Sequence, residues 1–75
     1  MTEESGEQRL RRKLLSLRPG KTTMIAASYR VKRNKENPPL FSLKAPNEGW
    51  SHMMPIDEMI TFIVKDHYLN PDELW

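Results

Sequence analysis

The sequence predicts a small α+β domain of two layers, in which an antiparallel sheet packs against helices. The main evidence is a change in periodicity: apolar residues recur at helical spacing near both ends of the chain and alternate with period two between them. The length of 75 residues is enough for one domain with a modest core. We expect the order α-β-β-(β)-α, with a hairpin or a three-stranded sheet packed on the C-terminal helix.

The first predicted helix spans residues 6–17. Ser5 and Gln8 have the spacing of a capping box, in which the serine oxygen accepts from the Gln8 amide and the Gln8 side chain reaches back. Pro19 and Gly20 end the helix. Its apolar stripe consists of Leu10, Leu14 and Leu17.

Two alternating runs follow, and we expect them to pair as an antiparallel hairpin. The first is a half-buried strand over 22–33, and the second covers 40–45, after a polar loop at 34–39. A turn then precedes a short third strand at 50–53. The residues expected on the inner face of the first strand are Ile25, Ala27, Tyr29 and Val31.

The second helix is predicted over 55–68, with Pro55 in its first turn and Asp57 and Glu58 at its positive end. Asn70 and the three residues after it have the chemistry of another helix start, of which at most one turn can follow. The apolar stripe of the second helix consists of Ile56, Met59, Ile60, Ile63 and Val64. We expect it to face Ile25, Tyr29, Val31, Phe41 and Leu43.

We therefore interpret the chain as a single domain over 1–75. Residues 1–5 are expected to be mobile, residues 22–53 to form the sheet, and residues 69–75 to form a tail. The sequence has no cysteine, which excludes disulfides and thiolate zinc sites and favours a cytoplasmic protein.

Composition also limits the ligands. No apolar run approaches the length of a membrane span, and the N-terminus does not resemble a signal peptide. His52 and His67 lie far apart without a compact set of further ligands, so we expect no metal and no cofactor. No arrangement of serine, histidine and carboxylate has a catalytic signature, so we do not expect an enzyme.

The charges are segregated along the chain, although the net charge is only +2. Residues 1–7 contain three acids, residues 8–35 contain ten basic residues and no acid, and residues 36–75 contain seven acids and two lysines. Such asymmetry indicates a surface field with a preferred partner.

This segregation favours a small nucleic-acid-binding or nucleic-acid-associated regulatory protein, which contacts DNA or RNA phosphates through its basic N-terminal half. In the alternative interpretation, these cations form a solvated helix face and protect an edge strand from aggregation by their charge. Tyr29 could stack on bases beside Arg30, although its alternation favours the sheet core. The candidate phosphate contacts are Arg9, Arg12, Lys13, Arg18, Lys21, Arg30, Lys32, Arg33 and Lys35.

A second hypothesis is a protein-interaction module or inhibitor, of the kind that phages and accessory systems encode, which docks a larger protein through its dipolar surface. A tryptophan beside acids resembles the aromatic anchor and polar rim of an interface. The first helix could also dock on a partner or a membrane surface, although packing on the sheet is the default. The candidate interface residues are Asp72, Glu73, Leu74 and Trp75.

The predicted order of elements and the length are similar to those of double-stranded RNA-binding domains. In that family a lysine cluster at the start of the last helix contacts phosphates. The matching place here holds Pro55, Ile56, Asp57 and Glu58. The order of elements is by itself weak evidence of function, so we assign no family.

Overall fold

The predicted fold class is confirmed by a computed structural model, which describes residues 4–26 and 28–74. A four-stranded antiparallel sheet follows an N-terminal helix and precedes a C-terminal helix in the sequence, and both helices pack on one face of the sheet. In chain order the elements are α1 (Gly6–Leu15), β1 (Thr22–Ile25), β2 (Tyr29–Glu36), β3 (Pro39–Lys44), β4 (Met54–Pro55) and α2 (Ile56–Thr61). A π-helical turn, Phe62–Asp66, continues α2, and a 3₁₀ turn, Pro71–Glu73, follows.

The capping box at the start of α1 is present. The Ser5 hydroxyl accepts from the Gln8 amide, and the Gln8 side chain accepts from the Ser5 amide at 3.0 Å. The helix ends at Leu15, two residues earlier than expected. Of the segment expected to be mobile, residues 1–3 lie outside the described residues, whereas Glu4 and Ser5 make defined hydrogen bonds.

The prediction of one strand over 22–33 was wrong, because this segment forms β1, a tight turn and the first half of β2. Ala26 turns the chain with a positive φ of 52°, a conformation usually taken by glycine or asparagine. Three residues separate Ile25 from Tyr29, and these two are paired and face the same side. The period of two therefore continues through the turn and conceals it. Ala27, expected on the inner face, lies outside the described residues.

The strand order is β1-β2-β3-β4, and the expected pairing of the second alternating run with the first is present between β2 and β3. The prediction of a short third strand at 50–53 was also wrong. Only Trp50 bridges to Lys44, and β4 begins at Met54. The Ser51 hydroxyl accepts from the Leu43 amide at 2.9 Å, in place of a backbone carbonyl, and this interrupts the regular ladder.

The core lies between one face of the sheet and the helices. The second helix is shorter than predicted: α2 ends at Thr61, and the π-helical turn that continues it ends at Asp66. Within its expected stripe, Ile56 and Val64 are only partly buried. The fully packed core residues are Leu10, Leu14, Ile25, Val31, Phe41, Leu43, Met54, Met59, Ile60, Ile63 and Leu74.

The predicted helix start at Asn70 is a single 3₁₀ turn. The Asn70 side chain accepts from the Asp72 amide at 3.0 Å, which caps the turn. Leu74 is only 7% exposed and belongs to the core, so this segment folds back onto the domain.

Candidate nucleic-acid interface

The helices cover one face of the sheet, and neither α1 nor α2 covers the other, which we call the open face. Directly paired residues point to the same side of a sheet. Met24 pairs with Arg30, Arg30 with Lys44, and Lys44 with Trp50. These pairs form one continuous row of side chains across the open face, with two cations between a methionine and a tryptophan.

A second row lies beside the first. Thr22 pairs with Lys32, and Lys32 with Ser42. The Asn34 amide donates to the Ser42 hydroxyl at 2.8 Å, which places Asn34 on this side as well. The register then shifts between residues 33 and 35, so that Lys35 lies opposite Leu40. The cations of the open face are Arg30, Lys32, Lys35 and Lys44.

The side chains of these four cations form no hydrogen bond or ion pair with any residue that the structure describes. The strand positions of the open face include no acid within the described part of the chain. Arg30 and Lys44 lie directly opposite each other, and like charges at such positions destabilise a sheet. The open face is therefore a positive surface whose repulsion no described side chain relieves.

Apolar side chains flank these cations. Met24 is 51% exposed and Trp50 is 43% exposed. A face that serves solubility alone does not need exposed apolar side chains beside unpaired cations, so the open face differs from an ordinary charged surface. Tyr29 does not join them, because its ring lies on the helical side, 5.5 Å from the His67 ring.

The cations of α1 are arranged differently. Arg12 donates twice to the Glu4 carboxylate, at 2.9 Å each, and Arg9 lies 3.9 Å from the same group. Arg11 is 2.6 Å from Asp57. The hydrogen bond from Arg12, supported by the positive charges of Arg12, Arg9 and Lys13, lowers the pKa of the Glu4 carboxyl below its ordinary value. The helix therefore offers a largely compensated surface.

Arg18 and Lys21 lie in the connection between α1 and β1. Both are exposed, and the Lys21 amide donates to the Arg18 carbonyl at 3.0 Å. They stand beside the sheet edge rather than within the rows of the open face.

Arg33, a predicted phosphate contact, lies inside the domain and is only 8% exposed. Its guanidinium donates to four carbonyl oxygens and lies 5.8 Å from the centre of the Phe41 ring. A group so occupied cannot reach a phosphate, and we omit Arg33 from the interface. The four acceptors, at 2.8–3.1 Å, belong to Leu15, Leu17, Lys35 and Glu36.

An acidic groove lies beside α2. Its volume is about 440 Å³, and Met54 and Phe62 contribute apolar lining. The acids of this groove are Asp57, Glu58 and Asp66. These acids lie beside α2, whereas the unpaired cations of the strands lie on the open face, so part of the charge separation along the sequence is also a separation in space.

The structure places the predicted protein-interface residues in different environments. Asp72 accepts from the Gly6 amide at 2.9 Å, and Leu74 is in the core. Glu73 is exposed, and its amide donates to the Asn70 carbonyl. Trp75 lies outside the described residues.

Three residues of the open face were not among the predicted site residues. The alternation of the sequence puts Lys44 on the outer side of its strand, but its position within a mostly acidic half of the sequence concealed its proximity to Arg30. Met24 also alternates outward. Trp50 gave no clear signal, because its position depends on a single bridge rather than on a strand.

The fold and this surface define a small α+β domain with one sheet face packed on helices and the other open and basic. Comparison with known protein families, curated proteins and solved structures gave no match. Within the described residues, no helix has the length and apolar character needed to cross a membrane. That part of the chain also contains no group of three histidine, aspartate or glutamate residues able to hold a metal.

Proposed function

We propose that this protein binds nucleic acid and that it contacts phosphates through the open face of its sheet. The observation that carries the proposal is the pair Arg30 and Lys44, which lie directly opposite each other without an acid between them. Phosphates would relieve this repulsion, and contacts of this kind supply most of the affinity that is independent of sequence.

The cations of the helix contribute less to this proposal. Arg9 and Arg12 share Glu4, and Arg11 is paired with Asp57. Their net field is therefore weaker than their number suggests. The proposal moves the interface from the whole basic half of the sequence to Arg30, Lys32, Lys35 and Lys44.

Two charge-matched double variants test the location. Arg30→Ala with Lys44→Ala removes two positive charges from the open face, and Arg9→Ala with Arg12→Ala removes two from α1. We expect only the first pair to weaken oligonucleotide binding strongly. In this first pair, the slope of log affinity against log salt should also become less negative by about 1.4 to 1.8, because two phosphate contacts are lost.

The measurement is fluorescence anisotropy of a labelled oligonucleotide over a series of salt concentrations, with thermal unfolding of each variant as the control for folding. Equal weakening by both pairs would show a dependence on total charge and would contradict the proposed interface. Absence of binding by the unmodified protein at about 50 mM salt, where phosphate contacts are strong, would contradict the function itself.

A further inference from the structure

We infer that the ligand of the open face is single-stranded nucleic acid and that Trp50 stacks on one of its bases. The inference rests on the proposed function and extends it to a class of ligand. It depends on three further observations: the width of the open face, the compensated charge of α1, and the position of an exposed indole beside two unpaired cations.

The width of the open face disfavours the grooves of a DNA duplex. Four strands at about 4.8 Å spacing place the outer strands about 14 Å apart before side chains are added. The major groove is about 12 Å wide and admits a helix or a two-stranded ribbon. A broad sheet therefore cannot bring its central cations to the base edges of a duplex.

The helix that would otherwise enter a groove is poorly suited to it. The guanidinium groups of Arg11 and Arg12 are engaged by Asp57 and Glu4. A duplex-binding helix needs such groups free for phosphates and base edges. The free positive charge lies instead on the open face of the sheet, along which an extended strand can lie.

Trp50 supplies the feature that phosphate binding alone does not require. It is 43% exposed and bridges to Lys44 at the end of the row that contains Arg30. Its ring has no aromatic or cationic partner among the described residues. Proteins that bind single strands combine a cationic track with such rings, because every base has a face on which an aromatic group can stack.

The experiment compares three ligands of equal length: an oligothymidine, an oligonucleotide in which every position is abasic, and a duplex. Each is titrated against the unmodified protein, Trp50→Leu and Trp50→Phe. We expect the oligothymidine to bind most tightly. Trp50→Leu should weaken its binding about tenfold and leave the abasic ligand unaffected, since only stacking is lost.

Trp50→Phe is the matched control, because it keeps an aromatic ring and should retain most of the affinity. A second measurement does not depend on the folding of a variant. In the unmodified protein, the oligothymidine should quench the tryptophan fluorescence more than the abasic ligand does.

The outcomes separate the inference from the proposed function. Binding of the duplex as tightly as the single strand, or an equal effect of Trp50→Leu on both single-stranded ligands, would overturn the inference and leave phosphate binding intact. Polyglutamate, a polyanion without bases, could also be used as a competitor. If it displaced a labelled oligothymidine from the protein as well as unlabelled oligothymidine does at equal charge, the inference would also be overturned. Absence of salt-sensitive binding to all three ligands would overturn both.

Discussion

Asp72 accepts a hydrogen bond from the backbone amide of Gly6 at 2.9 Å and thereby joins the last described turn to the start of α1. The carboxylate lies at the positive end of the helix dipole and satisfies one of the first amides, which have no partner within a helix. This contact explains why Gly6 is buried and why Leu74 reaches the core.

Gly6→Ala should destabilise the domain by about 1 to 3 kcal/mol, as overpacking does. An added Cβ would lie 2.6 Å from the Asp72 amide nitrogen and 2.6 Å from the Pro71 carbonyl carbon. This clash outweighs the preference of helices for alanine, which is worth about 1 kcal/mol. Gly49→Ala is the control, because its Cβ would meet nothing within 4 Å. Equal melting temperatures for the two variants would contradict this close packing.

Arg33→Met should lower the free energy of unfolding by at least ~2 kcal/mol, because it leaves four carbonyl oxygens without their shared donor. Arg33→Lys should recover only part of this loss, since an ammonium group lacks the planar fork. Denaturant unfolding measures both variants. Arg30→Ala is the control on the same strand and should cause no loss. A stable Arg33→Met protein would show that the buried guanidinium is dispensable.

Ile63→Ala should cost about 2 to 5 kcal/mol, since Ile63 is fully buried where the π-helical turn meets the core. Val64→Ala, at a partly buried neighbouring position, should cost clearly less. The difference between the two melting temperatures tests which side of this segment faces the sheet. Similar losses would mean that the segment is packed differently.

Glu4 should contribute to stability only above its folded pKa. Its carboxyl has a pKa below its ordinary value in the folded protein, mainly because Arg12 donates to it. The contribution is therefore full above the ordinary pKa of the carboxyl and is lost as the pH falls through the lower, folded value. Unfolding of the wild-type protein and Glu4→Gln should differ at pH 7 and converge in acid. A difference that is the same at both pH values would contradict the pairing.

The fold class could be predicted because each alternating or helical segment presents a regular apolar pattern to one core. The turn at Ala26 could not, because it lacks glycine, proline and asparagine and keeps the period of two. The basic site could be predicted only in part. The sequence groups Arg33 with the other cations, but its burial depends on the carbonyl groups of Leu15, at the end of α1, and Leu17, just after it, which tertiary packing brings to its guanidinium.

Lys44 is missing from the predicted site for the converse reason. It lies in the half of the sequence with most of the acids, and only the pairing of β2 with β3 places it opposite Arg30. Trp50 joins the same row through a single bridge to Lys44. The sequence does not indicate this bridge, because the alternation of apolar residues is interrupted there. The residues that lie side by side on a sheet depend on the register of the strands. Counting charges along the chain does not give this register.

The most direct test of the open face is the replacement Lys44→Glu, measured for both stability and oligonucleotide affinity. The substitution turns the repulsive pair with Arg30 into an attractive one, so the protein should become more stable by about 0.2 to 1 kcal/mol. Its affinity for an oligothymidine should fall at the same time. Lys65→Glu, on the π-helical turn, has the same change in net charge and should leave affinity nearly unchanged. Higher stability with weaker binding, confined to Lys44→Glu, is the predicted result; unchanged affinity in Lys44→Glu, or equal weakening in both variants, would contradict an interface on the open face.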